Sequence, residues 1–281
     1  MSSCLLDGTP SADAGLLRSH GALLGDSVFE TMRAYGGVLF AAREHVERLE
    51  RSAVWARITV AIPTETLVRE ASKVARSVEG DSAVRVLVIR AARVEGVALA
   101  RAPTHRLVFA EPLTIRVDDY ARGISACVLP DALHGTLEAA HAKYARYLPR
   151  LLARDEARAR GFDDALLADE SGTILSGSTA SVFAVGSDGI ITSTVLEGIT
   201  RATVVGLARG LGLPVSLRPI ERGDIERATE VFLTSSLREI VPVVRVDDHV
   251  VGTGAPGRTT RDLHAALRAL AGASGPPPWA M

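Results

Sequence analysis

The chain is poor in cysteine, lysine and aromatic residues, and each shortage excludes something. Of its two cysteines, Cys4 and Cys127, neither stands in a metal-ligand spacing, and they lie far apart. A disulfide framework and a structural zinc site are therefore not expected, and a reducing compartment suits the chain. Net charge is almost absent: 32 basic residues face 33 acidic ones, a formal sum of −1. No broad field draws the protein to nucleic acid or to an anionic membrane. No apolar run approaches the length of a membrane span, and the opening Met1-Ser2-Ser3-Cys4-Leu5-Leu6-Asp7 lacks the basic start of a signal peptide. A soluble, cytoplasmic protein is the expectation. Aromatics make up only 4% of the residues against 47% hydrophobic, so the core must be built from Ala, Val, Leu and Ile.

The order of periodic segments suggests two α+β domains. Val28 to Tyr35 alternates like a strand, Gly36-Gly37 reads as a tight turn, and Val38 to Phe40 returns. Ala42 to Arg57 has helical spacing, with Val46, Leu49 and Ala53 on one face. Thr64 to Val78 reads as a second helix, with Thr64 as N-cap and Gly80 beyond its end. Ala83 to Ala91 and Arg106 to Ala110 read as strands, giving an antiparallel sheet with helices on one side.

Glu111 to Tyr120, with Pro112, is the candidate linker between domains spanning residues 1–115 and 121–281. Beyond it, strands are expected at Ile124 to Leu129, Ala165 to Ala168, Thr173 to Leu175, Val182 to Val185, Ile190 to Thr192, Val215 to Pro219 and Val231 to Thr234. Helices are expected at Leu148 to Arg160, Thr200 to Gly210 and Arg258 to Leu270, followed by a loose Gly- and Pro-rich tail.

All but two of the 32 basic residues are arginine, the exceptions being Lys73 and Lys143. A Schiff base needs an amine that can lose its proton, which a guanidinium cannot do. A lysine surviving in so arginine-rich a chain is a candidate for such chemistry, although two lysines can also survive by composition alone. Gly198-Ile199-Thr200-Arg201 stands directly before a helix, where free N–H groups and a hydroxyl can seat a phosphate or simply cap the helix. Thr234-Ser235-Ser236 follows an apolar strand and offers more hydroxyls, or forms an ordinary polar loop. Arg48, between charged neighbours on a helix, would by default be solvated.

Taken in chain order, the motifs say more. Ser19-His20, Gly25-Asp26-Ser27-Val28-Phe29-Glu30, Glu44-His45-Val46-Glu47-Arg48-Leu49 and Ser52-Ala53 come first. Lys143, Glu156-Ala157 and Gly161 follow, then Glu197-Gly198-Ile199-Thr200-Arg201, Phe232-Leu233-Thr234-Ser235-Ser236 and Glu239-Ile240-Val241-Pro242-Val243. From about Ser19 to Gly252 the series resembles the class IV aminotransferases, the fold type IV pyridoxal phosphate enzymes. The resemblance implies a two-domain homodimer, its larger C-terminal domain having a β-barrel-like sheet core. It makes Lys143 the catalytic lysine that carries pyridoxal 5'-phosphate as a Schiff base and shuttles the proton. Arg48 would hold the phosphate by a bidentate contact, completed by the Ile199 backbone N–H, Thr200 and Ser236. An amino acid and an oxo acid would be the substrates, with no metal.

Two departures stand out against that family. Where its members carry a glutamate for the pyridine nitrogen, this chain has Ser176, within Gly172-Thr173-Ile174-Leu175-Ser176-Gly177-Ser178-Thr179-Ala180-Ser181-Val182-Phe183. A hydroxyl can bond a neutral pyridine nitrogen but does not hold it protonated. The alternative is that Asp169 or Glu170 substitutes after a small shift of alignment. The usual arginine-bearing substrate motif reads here Arg90-Ala91-Ala92-Arg93-Val94-Glu95-Gly96-Val97, with Glu95 at the later arginine position. Arg33, Arg90, Arg93, Arg146, Leu237 and Arg238 are candidate substrate contacts. Amino transfer is the leading expectation. A lyase of the aminodeoxychorismate type, releasing pyruvate, is the alternative, suggested by Ser235-Ser236-Leu237-Arg238-Glu239. A relative that has lost catalysis and serves as a binding subunit is the third reading, against which Lys143 and Arg48 stand intact.

Overall fold

The computed structural model describes residues 5–6, 9–10, 19–91, 98–130, 142–193, 197–273 and 277. Arg93 and Glu95, and most of the Gly- and Pro-rich tail, lie outside the described residues. The chain divides into two compact units, one ending at Glu111 but including Ala142–Arg146, the other comprising the rest. The lysine segment groups with the first unit.

The first unit contains β1 (Leu5–Leu6), β2 (Thr9–Pro10), α1 (His20–Leu24), β3 (Ser27–Tyr35), β4 (Val38–Leu39), α2 (Ala42–Trp55), α3 (Thr64–Ala75), β5 (Ser82–Arg90) and β6 (Thr104–Pro112). Its sheet has the order β4-β3-β5-β6, with β3 antiparallel to both neighbours. Alternation along β3 sends Val28, Met32 and Ala34 to the face covered by Val46, Leu49 and Ala53 of α2 and Leu67 and Ala71 of α3. Gly36 and Gly37, at φ 54° and 84°, supply the two positive φ angles of a tight hairpin turn. Two expectations need correction. Helix α3 ends at Ala75 rather than Val78, and Thr64 is its first residue, not its cap. The Thr64 hydroxyl instead donates to Glu50 at 2.5 Å.

The second unit contains α4 (Asp118–Ala121), β7 (Ile124–Pro130), α5 (Leu148–Ala159), β8 (Asp164–Ala168), β9 (Ile174–Gly177), β10 (Ser181–Gly186), β11 (Gly189–Thr192), α6 (Ile199–Gly210), β12 (Val215–Leu217), α7 (Arg222–Arg227), β13 (Glu230–Ser235), β14 (Glu239–Val246), β15 (His249–Val250) and α8 (Arg258–Leu270). Among the described residues its sheet has nine strands, ordered β12-β11-β10-β13-β14-β7-β8-β9, with β15 on β14. Phe183 of β10 and Phe232 of β13 are register partners whose rings stack at 4.7 Å between centroids. Each is fully buried, worth roughly 1.5–3 kcal/mol.

Two segments differ from expectation. Strand β14 goes unread in the sequence, and it carries Pro242, which lacks a ladder N–H, opposite Phe232. The expected linker takes in the end of β6, the irregular residues 113–117 and the start of α4. The α+β, two-domain expectation holds.

Gly189 opens β11 at φ 117°, and a Cβ there would collide with the Pro214 carbonyl, which accepts the Ile190 amide at 2.8 Å. Gly189→Ala should therefore cost at least about 2 kcal/mol in urea unfolding. Gly186→Ala, where a Cβ meets nothing within 4 Å, should stay within about 0.5 kcal/mol. Equal losses would contradict this account of the β10–β11 turn.

Candidate functional site

In the first unit a carboxylate with no solvent exposure, Glu30, projects from β3 onto α2. Arg48 donates to it from Nε and Nη2, each at 2.7 Å, and His45 Nδ1 lies 2.7 Å from the same group. His45 and Arg48 are three residues apart, so one helix face presents both. Burial alone would raise the Glu30 pKa, but the Arg48 charge and the two side-chain hydrogen bonds outweigh it and hold the group at about 2. The side-on edge of the Arg48 guanidinium is thereby used by Glu30.

Lys143 is held by these same two elements. Its amide donates to Ser52 Oγ of α2 at 3.0 Å, and its carbonyl accepts the Phe29 amide of β3 at 3.2 Å. The Ala145 amide donates to the Ser27 carbonyl at 2.9 Å, and Tyr144 bridges to Val28. Tyr144 also stacks on Trp55 at 5.4 Å. Residues 143–145 thus run as a short antiparallel extension of β3. The Lys143 Nζ lies 4.4 Å from the centroid of the Phe29 ring, a cation–π distance. Lys73, by contrast, is exposed in the last turn of α3.

In the second unit the start of α6 is a cradle. Gly198 is its N-cap with no side-chain cap, and a Cβ there would stand 2.9 Å from Ser181 Oγ of β10. Ser181 is the register partner of Thr234 on β13. Thr200 is buried, and two further polar groups are buried without a hydrogen-bond partner: Arg201 Nε and Thr234 Oγ1. Burial pushes the Arg201 guanidinium down, against the pull of Glu197. Unused N–H groups of a helix start, a buried hydroxyl and a buried cation together suit a dianion. Ser236 is half-buried in the turn after β13, whose Ser235 Oγ accepts the Arg238 amide at 3.3 Å.

Ser176 lies in β9 opposite Leu167 of β8, and Arg150 of α5 donates to its hydroxyl at 3.1 Å. The alternative acid Asp169 is committed to the β8–β9 turn, where it accepts the Ser171 hydroxyl at 2.6 Å and the Thr173 amide at 3.0 Å. Those bonds, the Ser171 hydroxyl first, hold its carboxyl below the usual range. Glu170 is exposed.

The candidate substrate arginines are placed unequally. Arg90 donates to Asp26, to the Ala56 and Arg57 carbonyls just past α2, and to the Leu99 carbonyl. Four of its five N–H donors are spent tying these segments together, which marks it as structural. Arg33 is buried, pairs with Asp81 at 2.7 Å and lies over the Tyr35 ring. Arg146 is exposed and Leu237 half-buried. Arg238 donates to the buried Asp164 at 2.8 Å, while its carbonyl accepts the Tyr120 hydroxyl.

Sequence reasoning missed a second carboxylate clasp: Glu239, at φ 54°, is held by His264 at 2.7 Å and by Arg268 at 3.0 Å. It also assigned no role to Ser52, Asp164 or Arg150. Pairing partners far along the chain leave no periodic signal. Among the described residues no cluster of His, Cys, Asp and Glu could hold a metal, and no helix is long and apolar enough to cross a membrane.

Residues 27–246 match the family model described as amino-transferase class IV. The branched-chain-amino-acid aminotransferase of Escherichia coli (strain K12) is 32% identical over 271 residues, covering 90% of this chain and 86% of that protein. A crystal structure of the Escherichia coli branched-chain amino acid aminotransferase superposes with a TM-score of 0.82 at 30% identity, covering 94% and 92% of the two chains. The crystal structure of a T.th. branched-chain amino acid aminotransferase with pyridoxamine 5'-phosphate gives a TM-score of 0.80 at 29% identity, over 94% and 91%.

The Glu30 clasp sets a pH dependence. Its folded pKa, about 2, lies below the ordinary 4.5, so its stabilisation is complete above pH 4.5 and is lost as pH falls through 2. Urea unfolding across that interval should show Glu30→Gln less stable than the parent at neutral pH, with the gap closing toward pH 2. A gap that stays constant with pH would contradict the ionised clasp.

Proposed function

The chain belongs to the amino-transferase class IV family and is an aminotransferase, and we propose that it works with pyridoxal 5'-phosphate, moving an amino group between an amino acid and an oxo acid. The observation that carries this reading is the setting of Lys143, pinned at its amide by Ser52 and at its carbonyl by Phe29. When bound, the cofactor supplies a carbonyl that condenses with amines and a ring that spreads negative charge. The relative with pyridoxamine 5'-phosphate supports the choice of cofactor.

The residues proposed to hold the group are Lys143, Arg48, Ser176, Ile199, Thr200 and Ser236. Lys143 would hold the group through its Nζ, and the same amine, when free, would take up the proton from the substrate Cα. Glu30 keeps Arg48 oriented, and Arg48 would contact the phosphate. The Ile199 amide, the Thr200 hydroxyl and the Ser236 hydroxyl would donate to phosphate oxygens. The cradle at Gly198 and the orphaned Thr234 and Arg201 groups support an anion at this helix start. Arg33, Arg146, Leu237 and Arg238 remain the proposed substrate contacts; Arg90 has too few donors left to be a strong one. The family resemblance supports a homodimer, and the two distant cysteines suit a reducing cytoplasm.

One observation favours a second reaction. Ser176, bonded to Arg150, is no carboxylate, which suits pyruvate-releasing β-elimination better than amino transfer. A visible absorption spectrum with a panel of L- and D-amino acids separates the two. Amino transfer predicts a yellow band that a donor bleaches; elimination predicts pyruvate without bleaching. Lys143→Ala should abolish the band and slow the reaction at least about a hundredfold. A colourless protein that ignores added pyridoxal phosphate would overturn the cofactor assignment.

A further inference from the structure

Ser176 has an unusual neighbour. Arg150 Nη1 donates to its hydroxyl at 3.1 Å and reaches the Gly177 and Ser178 carbonyls at the longer distances of 3.5 and 3.4 Å. Among the described residues no carboxylate lies within ion-pair distance of this guanidinium, although Asp155 and Glu156 line a surface cavity together with Arg150. The strongest contact of a partly buried cation is therefore a serine hydroxyl and the strand end that carries it. A hydroxyl has one proton and two lone pairs. An oxygen that accepts from a guanidinium becomes a poorer acceptor, and its own O–H a better donor. The local positive charge also opposes any second cation nearby.

We propose that Arg150 is a positioning residue that sets Ser176 as a hydrogen-bond donor, so that the pyridine nitrogen of the cofactor is bound neutral rather than protonated. This rests on the reading that Ser176 meets that nitrogen. The consequence follows from charge alone. A carboxylate at this position would favour a pyridinium, whereas a hydroxyl polarised by a cation favours a base with an open lone pair. The ring is then a weaker sink for negative charge, and the chain's own groups must do more to stabilise charge at the substrate Cα.

The test is the ring-nitrogen signal in 15N NMR of the full-length protein reconstituted with ring-labelled pyridoxal phosphate. The parent should give the signal of an unprotonated pyridine. Arg150→Met should still take up the cofactor, but with the signal moved toward pyridinium or made to titrate with pH. Ser176→Ala should keep the unprotonated signal while raising the cofactor dissociation constant about fivefold, the loss of one ordinary hydrogen bond. A pyridinium signal in the parent overturns the proposal, as does an Arg150→Met signal identical to the parent's or an unchanged dissociation constant in Ser176→Ala. Failure of the parent to take up the cofactor is a different result: it overturns the cofactor assignment itself, and this inference with it.

Discussion

A buried carboxylate can stand in a protein core only if cations and hydrogen bonds replace the water it loses. Glu30 meets that demand with Arg48 and His45, and the solution joins strand β3 to helix α2. Those two elements are the ones that hold Lys143, β3 through the Phe29 amide and α2 through the Ser52 hydroxyl. Removing either partner would leave an uncompensated charge and loosen the wall against which the lysine is pinned. The second unit repeats the device: Glu239 on β14 is clasped by His264 and Arg268 of α8. There the clasp secures a left-handed residue at the end of the turn that carries Ser236 and Arg238.

Arginine dominates the basic residues, and its uses differ from place to place. Arg90 ends a helix by capturing carbonyls that have no helical partner. Arg48 and Arg268 compensate buried carboxylates. Arg201 is buried with its Nε unpaired, beside an α6 start that has no side-chain cap. Arg150 polarises a serine. Only the two lysines could offer a side-chain amine, and one of them, Lys73, is exposed on α3.

Much of the fold was legible because hydrophobic period dictates it. The β3 hairpin and helix α2 fall within two residues of the sequence reading, and α8 matches it. What was hidden shares a cause, since long-range pairing leaves no local trace. Strand β14 carries a proline in mid-strand, which speaks against a strand until Phe232 is seen opposite it. Thr64 looks like a cap, but Glu50 takes its hydroxyl. Arg48 reads as a solvated residue of a charged helix face, and only the placement of Glu30 shows why it is buried. Lys143 stood out by scarcity, yet its segment groups with the first unit through pairing to β3 that no spacing could reveal.

The central claim is that Lys143, and not Lys73, is the amine that holds the cofactor. Reducing the pyridoxal phosphate-loaded protein with borohydride and mapping the peptides by mass spectrometry tests it directly. A phosphopyridoxyl addition confined to Lys143 is the predicted result. The same addition on Lys73, or none at all, would contradict it.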